Sequence, residues 1–255
     1  MSLSKNYSIV TLEENKVIKE GLPKLMKIEY EKTLQAFNIF NKSDFFCVPK
    51  ILDYDQEKGR IVFERIENVL KVGRFQNLSI YGIDTTAKIA TGLANIHMNF
   101  NLPENLIEPL PKELADYDSQ QVFIHGDFTG NNILFSPNDN KLYIIDWMMT
   151  KSHEGMATYG TAFWDIAWFL NFQFYSIINL DYFNRKIEQE ALTFIISYSK
   201  EIKFDFNIHK FSDYLLKFVN CKISLRKRTL PYHHFIRLWP SHLRFISFAK
   251  RLKYY

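Results

Sequence analysis

Three polar side chains near the middle of the chain have the types and the spacing to hold a metal ion. Asp127 follows His125 and Gly126, Asn132 comes five positions later, and Asp146 lies fourteen positions beyond Asn132. Two carboxylates and one amide suit a hard cation such as Mg²⁺, which prefers oxygen ligands and shares its coordination shell with phosphates and water. The spacing therefore predicts an oxygen-rich magnesium site.

The segments around these residues predict how they are positioned. Short apolar runs of strand type cover 122–124, 133–135 and 142–145, and the turn-forming residues of 136–140 separate the last two runs. This order predicts a strand, a polar loop and a hairpin. Asp127 and Asn132 then lie on the loop and Asp146 lies just past the second hairpin strand, so that the three side chains can converge on one point.

This ordered set resembles the aminoglycoside phosphotransferase and choline kinase superfamily, which has a protein-kinase-like fold. H-G-D-x4-N at 125–132 and I-D-W at 145–147 carry the resemblance. It implies that Asp127 is the base that accepts the proton of the substrate hydroxyl, that Asn132 is a metal ligand, and that Asp146 holds Mg²⁺ on the nucleotide phosphates. H-G-D alone would fit an ordinary turn, but the ordered set with a hairpin between its parts favours the functional interpretation.

The first 67 residues predict a small lobe of strands around one helix. Strands are predicted at 7–11 and 16–20, a helix from Pro23 to about Asn41, and a second strand pair at 48–52 and 60–66. The apolar stripe predicted for the helix consists of Met26, Tyr30, Leu34, Phe37 and Phe40.

The resemblance also implies a nucleotide-binding set in this lobe, with ATP and Mg²⁺ as cofactors. Lys19 looks like the strand lysine that contacts the α- and β-phosphates, and Glu31 on the helix would be the acid that fixes it. Glu29 remains the competitor, because the helix register is uncertain by one or two residues. The stretch 61–66 resembles the hinge, which predicts that Phe63, Glu64 and Ile66 lie at the adenine edge.

The rest of the chain, 68–255, predicts a mainly helical lobe. Helices are predicted at 84–99, 164–178, 184–200, 210–225 and 233–252, and they would build the acceptor pocket. His97 is interpreted as structural, and Asp165 resembles the aspartate that anchors the catalytic loop in the family. The predicted fold class is therefore α+β, with a reduced β-rich N-terminal lobe (1–67) and a helical C-terminal lobe (68–255).

Composition excludes several classes of protein. Apolar residues make up 47% of the 255 residues, which argues against disorder. No run of eighteen apolar residues predicts a membrane span, and the first residues lack the apolar core of a signal peptide. Cys47 and Cys221 have no metal-binding or redox spacing. These features predict a cytoplasmic protein with reduced thiols.

Charge is distributed unevenly along the chain. The net charge is +4, yet residues 214–255 contain ten Lys or Arg and no Asp or Glu. A cationic acceptor would need an acidic pocket, since burying an unpaired positive group is costly. The distribution favours an anionic or sugar-like acceptor, or contact with an acidic surface, although solvated helix faces explain it nearly as well. Glu154 and Asp181 remain candidates for lining the pocket.

The sequence thus predicts an ATP-dependent phosphotransferase that moves the γ-phosphate to a hydroxyl of a small molecule or sugar. The alternative is a catalytically weak or dead kinase fold that acts as a binding module, since no glycine precedes Gly21 to form a Gly-rich loop before Lys19. A protein kinase is disfavoured, because H-G-D replaces H-R-D and no A-P-E segment follows Asp146.

Overall fold

The computed structural model describes residues 8–73, 85–148, 157–175 and 186–255. In the N-terminal lobe the elements are β1 (Ser8–Leu12), β2 (Lys16–Gly21), α1 (Pro23–Phe40), β3 (Phe46–Cys47), β4 (Ile51–Asp55) and β5 (Arg60–Glu64). Four of these strands form an antiparallel sheet in the order β1-β2-β5-β4. Strand β2 is internal, so Lys19 is held between Val10 on one side and Ile61 on the other.

Helix α1 begins at Pro23, whose ring removes a backbone N–H that would have no partner in the first turn. The apolar stripe predicted for this helix is only partly right, because Leu34 and Phe37 are 37% and 39% exposed. The buried face instead includes Glu29 and Lys32. Hydrophobic periodicity misses such a face, because polar groups can be buried there when each finds a partner.

The C-terminal lobe contains a second four-stranded sheet that carries the predicted hairpin. Its strands are β6 (Leu70–Lys71), β8 (Ile133–Ser136) and β9 (Lys141–Ile144), with β3 joining in parallel to give the order β3-β9-β8-β6. Strand β7 (Gln121–Phe123) pairs with β10 (Tyr159–Thr161). The hairpin lies where the sequence predicts it, whereas β3, β6 and β10 are too short to produce a recognisable alternation.

Helices make up most of the remaining described chain: α2 (Thr85–Asn99), α3 (Phe163–Phe174), α4 (Lys186–Glu201), α5 (Ile208–Thr229), α6 (Tyr232–Arg237) and α7 (Trp239–Arg251). The single helix predicted at 233–252 is divided by Leu238 into α6 and α7. Asp84, the first residue of the helix predicted at 84–99, lies outside the described residues, as do Glu154 and Asp181.

Two separate apolar clusters define the two lobes. The larger lies mostly in the C-terminal lobe, where stacked pairs such as Phe169 with Phe194 have ring centroids 4.5 Å apart, and it extends to Ala36 and Phe40 of α1 and Phe46 of β3. The smaller contains Leu25, Met26 and Ile61 in the N-terminal lobe. Each fully buried aromatic or aliphatic side chain of this size contributes about 1.5–3 kcal/mol. The fold class is the predicted two-lobed α+β architecture, and the boundary at 67–68 stays a prediction.

Within the described segments, no helix is long and apolar enough to cross a membrane. Cys47 and Cys221 are both free cysteines.

Candidate active site

Seven of the eight predicted site residues line one cleft of about 790 Å³ between the lobes. These residues are Lys19, Phe63, Glu64, Ile66, Asp127, Asn132 and Asp146. The N-terminal lobe forms one wall of the cleft, and this wall includes Val10, Leu12 and Val17 of the β1–β2 hairpin. The cleft is thus apolar under the hairpin and polar where the two lobes meet.

Lys19 connects the two lobes through two carboxylates. Its Nζ lies 2.7 Å from Oε1 of Glu29 on α1 and 2.6 Å from Oδ1 of Asp146. Burial alone would lower the pKa of Lys19, but the charges of Glu29 and Asp146 outweigh that effect and raise it. Lys19 is therefore a fixed positive charge at the polar end of the cleft.

The acid that pairs with Lys19 is Glu29, so the assignment of that role to Glu31 is wrong. Successive helical residues are rotated by about 100°, so a shift of two positions turns a side chain to another face. Glu31 is half-buried and lies near Tyr54. Burial is the main cause of the raised pKa of the Tyr54 phenol, and the charge of Glu31 is the next cause. Sequence spacing left both glutamates open, and only the position of β2 against α1 selects between them.

Glu29→Gln is expected to lower the free energy of unfolding by about 3 kcal/mol. This value is the lower end of the range for removing one partner of a buried ion pair, because Lys19 keeps its ion pair with Asp146. Urea unfolding measures this change. The matched control is Glu31→Gln, which is expected to change the free energy of unfolding by less than about 0.5 kcal/mol. Equal losses in the two variants would contradict the assignment.

The turn that carries Asp127 is fixed by a buried aspartate on α3. The carboxylate of Asp165 accepts hydrogen bonds from the backbone N–H groups of His125 at 2.6 Å and Gly126 at 2.9 Å, and its Oδ2 lies 3.1 Å from Nε2 of His97. Burial would raise the pKa of Asp165, but these hydrogen bonds and the charge interactions lower it. Asp165 is therefore ionised and holds the loop, and His97 packs behind it.

A fully buried lysine ties the N-terminal helix to the same loop. Lys32 on α1 donates from Nζ to the carbonyl oxygen of His125 at 3.0 Å. Burial lowers the pKa of Lys32 to about 8. Together with Glu29, one turn earlier, it makes α1 contact both Lys19 and the loop that carries Asp127.

Two glycines allow the loop its path. Gly126 has φ of +96°, a conformation that side-chain-bearing residues rarely adopt. A Cβ on Gly130 would lie 1.6 Å from the carbonyl oxygen of Gly73, so only glycine permits this close approach. The spacing H-G-D-x-x-G therefore has a local structural cause.

Both carboxylate oxygens of Asp127 are oriented by side-chain donors. Oδ1 accepts from Nε1 of Trp168 at 2.6 Å, and Oδ2 accepts from Nδ2 of Asn132 at 3.0 Å. Burial raises the pKa of Asp127 to about 6, and the hydrogen bond from Trp168 partly opposes this rise. A carboxylate with a pKa just below the operating pH is ionised and is also a stronger base than an exposed one.

Asn132 and Asp146 are brought together by the hairpin. The N–H of Ile145 donates to the carbonyl oxygen of Asn132 at 3.0 Å, which places the residue before Asp146 against the catalytic loop. Asp146 has φ of +60°, in the left-handed region that aspartate and asparagine enter more readily than most residues. Such backbone conformations cluster at functional sites.

These two residues fit a magnesium ion. The amide nitrogen of Asn132 faces the backbone oxygen and Oδ2 of Asp127, which leaves its amide oxygen for a cation. The side chain of Asp146 is 42% exposed in the cleft. No group of three His, Cys, Asp or Glu residues in the described segments could hold a metal by itself. Two protein oxygens suit Mg²⁺, which takes its remaining ligands from phosphates and water.

The segment that resembles the hinge has one backbone N–H without a backbone partner among the described residues. The N–H groups of Glu64 and Arg65 donate to the carbonyl oxygens of Lys50 at 2.9 Å and Asn15 at 3.2 Å. Within the described residues, the N–H of Ile66 has no such partner. Phe63, Glu64 and Ile66 all line the cleft, so this segment can meet the polar edge of a bound base.

Sequence reasoning missed Trp168. It lies on α3 one helical turn after Asp165, so both residues face the catalytic loop. That spacing was the available signal, but nothing in the sequence shows that the indole reaches Asp127.

Trp168→Phe is expected to move the acid limb of the pH profile upward. The acid limb reports the ionisation of Asp127, so the activity of the wild-type protein should decrease when the pH is lowered past about 6. Loss of a hydrogen bond to a charged group disfavours the ionised form by about 1.5–3 kcal/mol, which corresponds to roughly one to two pH units. The pH dependence of kcat/KM measures the shift. Trp239→Phe, at an exposed position, is the control, and an unmoved limb in Trp168→Phe would contradict the role of the indole.

Comparisons with known proteins agree with this geometry. A family model described as the phosphotransferase enzyme family matches residues 89–192, which include the catalytic loop, Asp146 and Asp165. Acyl-CoA dehydrogenase family member 11 of Pongo abelii is 32% identical over 83 residues, a match that covers 32% of this chain and 10% of that protein. The chain thus matches only about a tenth of the length of this curated relative.

Solved structures share the fold over most of the chain. Glucosamine kinase, in complex with glucosamine, ADP and phosphate, matches with a TM-score of 0.62 and 14% identity over 96% of this chain and 81% of that chain. A choline/ethanolamine kinase family protein from Mesorhizobium loti matches with a TM-score of 0.56 and 11% identity, over 95% of this chain and 84% of that chain. A type VIII aminoglycoside-3'-phosphotransferase matches with a TM-score of 0.51 and 12% identity, over 83% of this chain and 93% of that chain. The predicted resemblance to the aminoglycoside phosphotransferase and choline kinase superfamily is confirmed, and the shared fold is kinase-like.

Proposed function

We propose that the protein is an ATP-dependent phosphotransferase that moves the γ-phosphate to a hydroxyl of a small molecule or sugar. The observation that carries this proposal is the convergence of Asp127, Asn132, Asp146 and Lys19 in one cleft, with the first three joined through the hairpin. The family model and the kinases of the same fold support phosphate transfer in general.

Each side chain has a distinct task in this reaction. Asp127 accepts the proton of the acceptor hydroxyl while the hydroxyl oxygen attacks the γ-phosphorus and the bond to the bridging oxygen of ADP breaks. Trp168 and Asn132 hold the carboxylate in position, since each donates to one of its oxygens. Lys19 places its charge at the phosphates, and the hinge N–H of Ile66 meets the base. Mg²⁺, held by Asn132 and Asp146, would neutralise charge on the phosphates.

Behind Trp168, which contacts Asp127, lies a group of aromatic and basic side chains that we call the acceptor wall. The Nζ of Lys222 lies 4.0 Å from the ring centroid of Trp168, and the guanidinium carbon of Arg226 lies 3.5 Å from that of Tyr175. Burial, and then the nearby charge of Arg226, lowers the pKa of Lys222 to about 6. An anionic group bound beside them would favour the protonated form of Lys222 and offset its repulsion with Arg226. These contacts favour an acceptor that carries a phosphate or carboxylate, such as an acidic sugar.

Calorimetric titration with a non-hydrolysable ATP analogue, with and without Mg²⁺, tests the nucleotide half of the proposal. Transfer of labelled γ-phosphate to matched acceptor pairs, glucosamine against glucosamine 6-phosphate and choline as the cation, tests the other half. No nucleotide binding at millimolar concentration would overturn the kinase assignment in favour of the binding module. Preference for choline would overturn only the anionic acceptor.

A further inference from the structure

The corner formed by α6 and α7 exposes an unusual row of large apolar side chains. Tyr232 is 78% exposed, Ile236 48%, Trp239 45% and Leu243 45%. Helix α6 contains no buried residue. Single exposed apolar residues are normal, whereas a contiguous row of four on one element indicates an interaction site.

The four side chains lie on two consecutive helices that are separated by a single residue. Leu238, the single residue between them, keeps a helical backbone with φ of −85° and ψ of −7°. Its N–H bonds back to His234, and the N–H of His242 bonds to its carbonyl oxygen. A spacing of four residues places Tyr232 with Ile236 on one face of α6 and Trp239 with Leu243 on one face of α7, and the two pairs meet at Leu238.

Unpaired positive charges surround this row. Lys227, Arg228 and Arg237 are exposed, and within the described residues none of them forms an ion pair. Other cations of the same segment do pair: Arg244 and Arg251 contact Glu188, and Lys253 contacts Asp213. Lys250 on α7 is also exposed without an ion pair among the described residues, but Lys227, Arg228 and Arg237 lie next to the apolar row along the chain, and we call this region the basic aromatic corner (227–243).

We propose that the basic aromatic corner docks on an anionic lipid surface. Apolar and aromatic side chains flanked by Lys and Arg are the composition of helices that lie in the interface of a membrane. Duplex nucleic acid would use the cations but would leave Ile236 and Leu243 without a role. A symmetric contact between two copies would bring the same cations together, which is unfavourable.

The position of the corner gives docking a consequence for the cleft. The ring centroids of Trp239 and His242 are 5.8 Å apart. Nδ1 of His242 is hydrogen-bonded to the hydroxyl of Tyr175 at 2.5 Å. Tyr175 in turn lies under Arg226 of the acceptor wall. Docking therefore holds the acceptor side of the cleft near the lipid surface. This consequence rests on the proposed function, whereas docking itself does not.

Sedimentation with vesicles tests the proposal. The full chain should bind vesicles of phosphatidylcholine with about one-third phosphatidylglycerol and should not bind pure phosphatidylcholine. Neutralising Lys227, Arg228 and Arg237 together to Gln should weaken binding roughly 100-fold, because each basic residue near an anionic surface contributes about a factor of five. Ile236→Ser with Trp239→Ser should also weaken binding, and binding should decrease as salt is raised.

Matched controls separate docking from general charge and from folding. Lys42, Lys112 and Lys200, all exposed elsewhere, are changed together to Gln, and Leu52→Ser with Ile107→Ser replaces two exposed apolar residues. Both control sets should bind vesicles like the wild-type protein. Circular dichroism and nucleotide titration on every variant show whether folding and the cleft are intact, so loss of docking is distinguishable from failure of the kinase proposal.

Three outcomes would overturn the proposal. The first is equal binding to neutral and anionic vesicles, or none to either. The second is loss of vesicle binding in the charge variant but not in the apolar variant, with the same pattern on duplex DNA. The third is a dimer in sedimentation velocity that Ile236→Ser with Trp239→Ser abolishes, which would make the corner an interface between copies.

Discussion

Asp127→Asn is expected to lower turnover by roughly 10²–10⁴ while Mg-nucleotide binding stays near the wild-type value. That factor is the usual contribution of a positioned base. The amide keeps the shape of the side chain and can still accept from Trp168, but it cannot accept the proton of the acceptor hydroxyl. Single-turnover phosphate transfer and calorimetric nucleotide titration measure the two quantities separately.

The thermal stability of this variant distinguishes chemistry from misfolding. Because burial raises the pKa of Asp127 to about 6, the folded state disfavours its ionised form and loses stability as pH rises through that value. The neutral Asn should therefore melt no lower than the wild-type protein at pH 8. Asp44→Asn, at an exposed position, is the control for a changed charge. Near-normal turnover in Asp127→Asn would exclude Asp127 as the base.

Asp146→Asn is expected to remove most of the magnesium-dependent part of nucleotide affinity, a loss of about 100-fold or more. Changes to residues that only support metal ligands already cost 10–100-fold, and here a charged ligand is replaced by a neutral one. Asparagine adopts the left-handed backbone as readily as aspartate, so the φ of +60° is retained. Titrations with and without Mg²⁺ isolate the change.

The two variants should differ in kind. Asp146→Asn should bind nucleotide without Mg²⁺ much as the wild-type protein does, because Lys19 keeps its contact with Glu29. Asp127→Asn should keep the magnesium dependence. Identical profiles for the two variants would contradict the division of roles between a base and a metal ligand.

The sequence alone determined the central part of the site. The apolar runs, the turn at 136–140 and the loop between them are local features, so the positions of Asp127, Asn132 and Asp146 relative to the hairpin followed from the residues. Gly126 reinforces that local specification, because its φ of +96° is one that other residue types rarely adopt, whereas Gly130 is required by a contact with the distant Gly73. The two-lobed fold followed from the resemblance carried by the same stretch.

Other features depended on contacts between distant segments. Strands β3 and β6 contain two residues each, and they form only because β9 and β8 offer edges to pair with. The break between α6 and α7 was also missed, although Pro240 was the available signal, because proline suits the first turn of a new helix but disrupts the interior of a continuous one. The row on the basic aromatic corner became visible only with the exposure of its side chains.

The choice between Glu29 and Glu31 shows the limit most clearly. Both glutamates have the right chemistry, and a helix places them on different faces, but the sequence does not say which face meets β2. That choice was made by the tertiary structure, in which Lys19 and the carbonyl oxygen of His125 provide partners for Glu29 and Lys32 on one side of α1. Burying these polar groups is favourable only when the partners are in place, and the partners come from segments far away in the chain. The same reason explains Trp168, whose indole acts on Asp127 across forty-one positions of sequence.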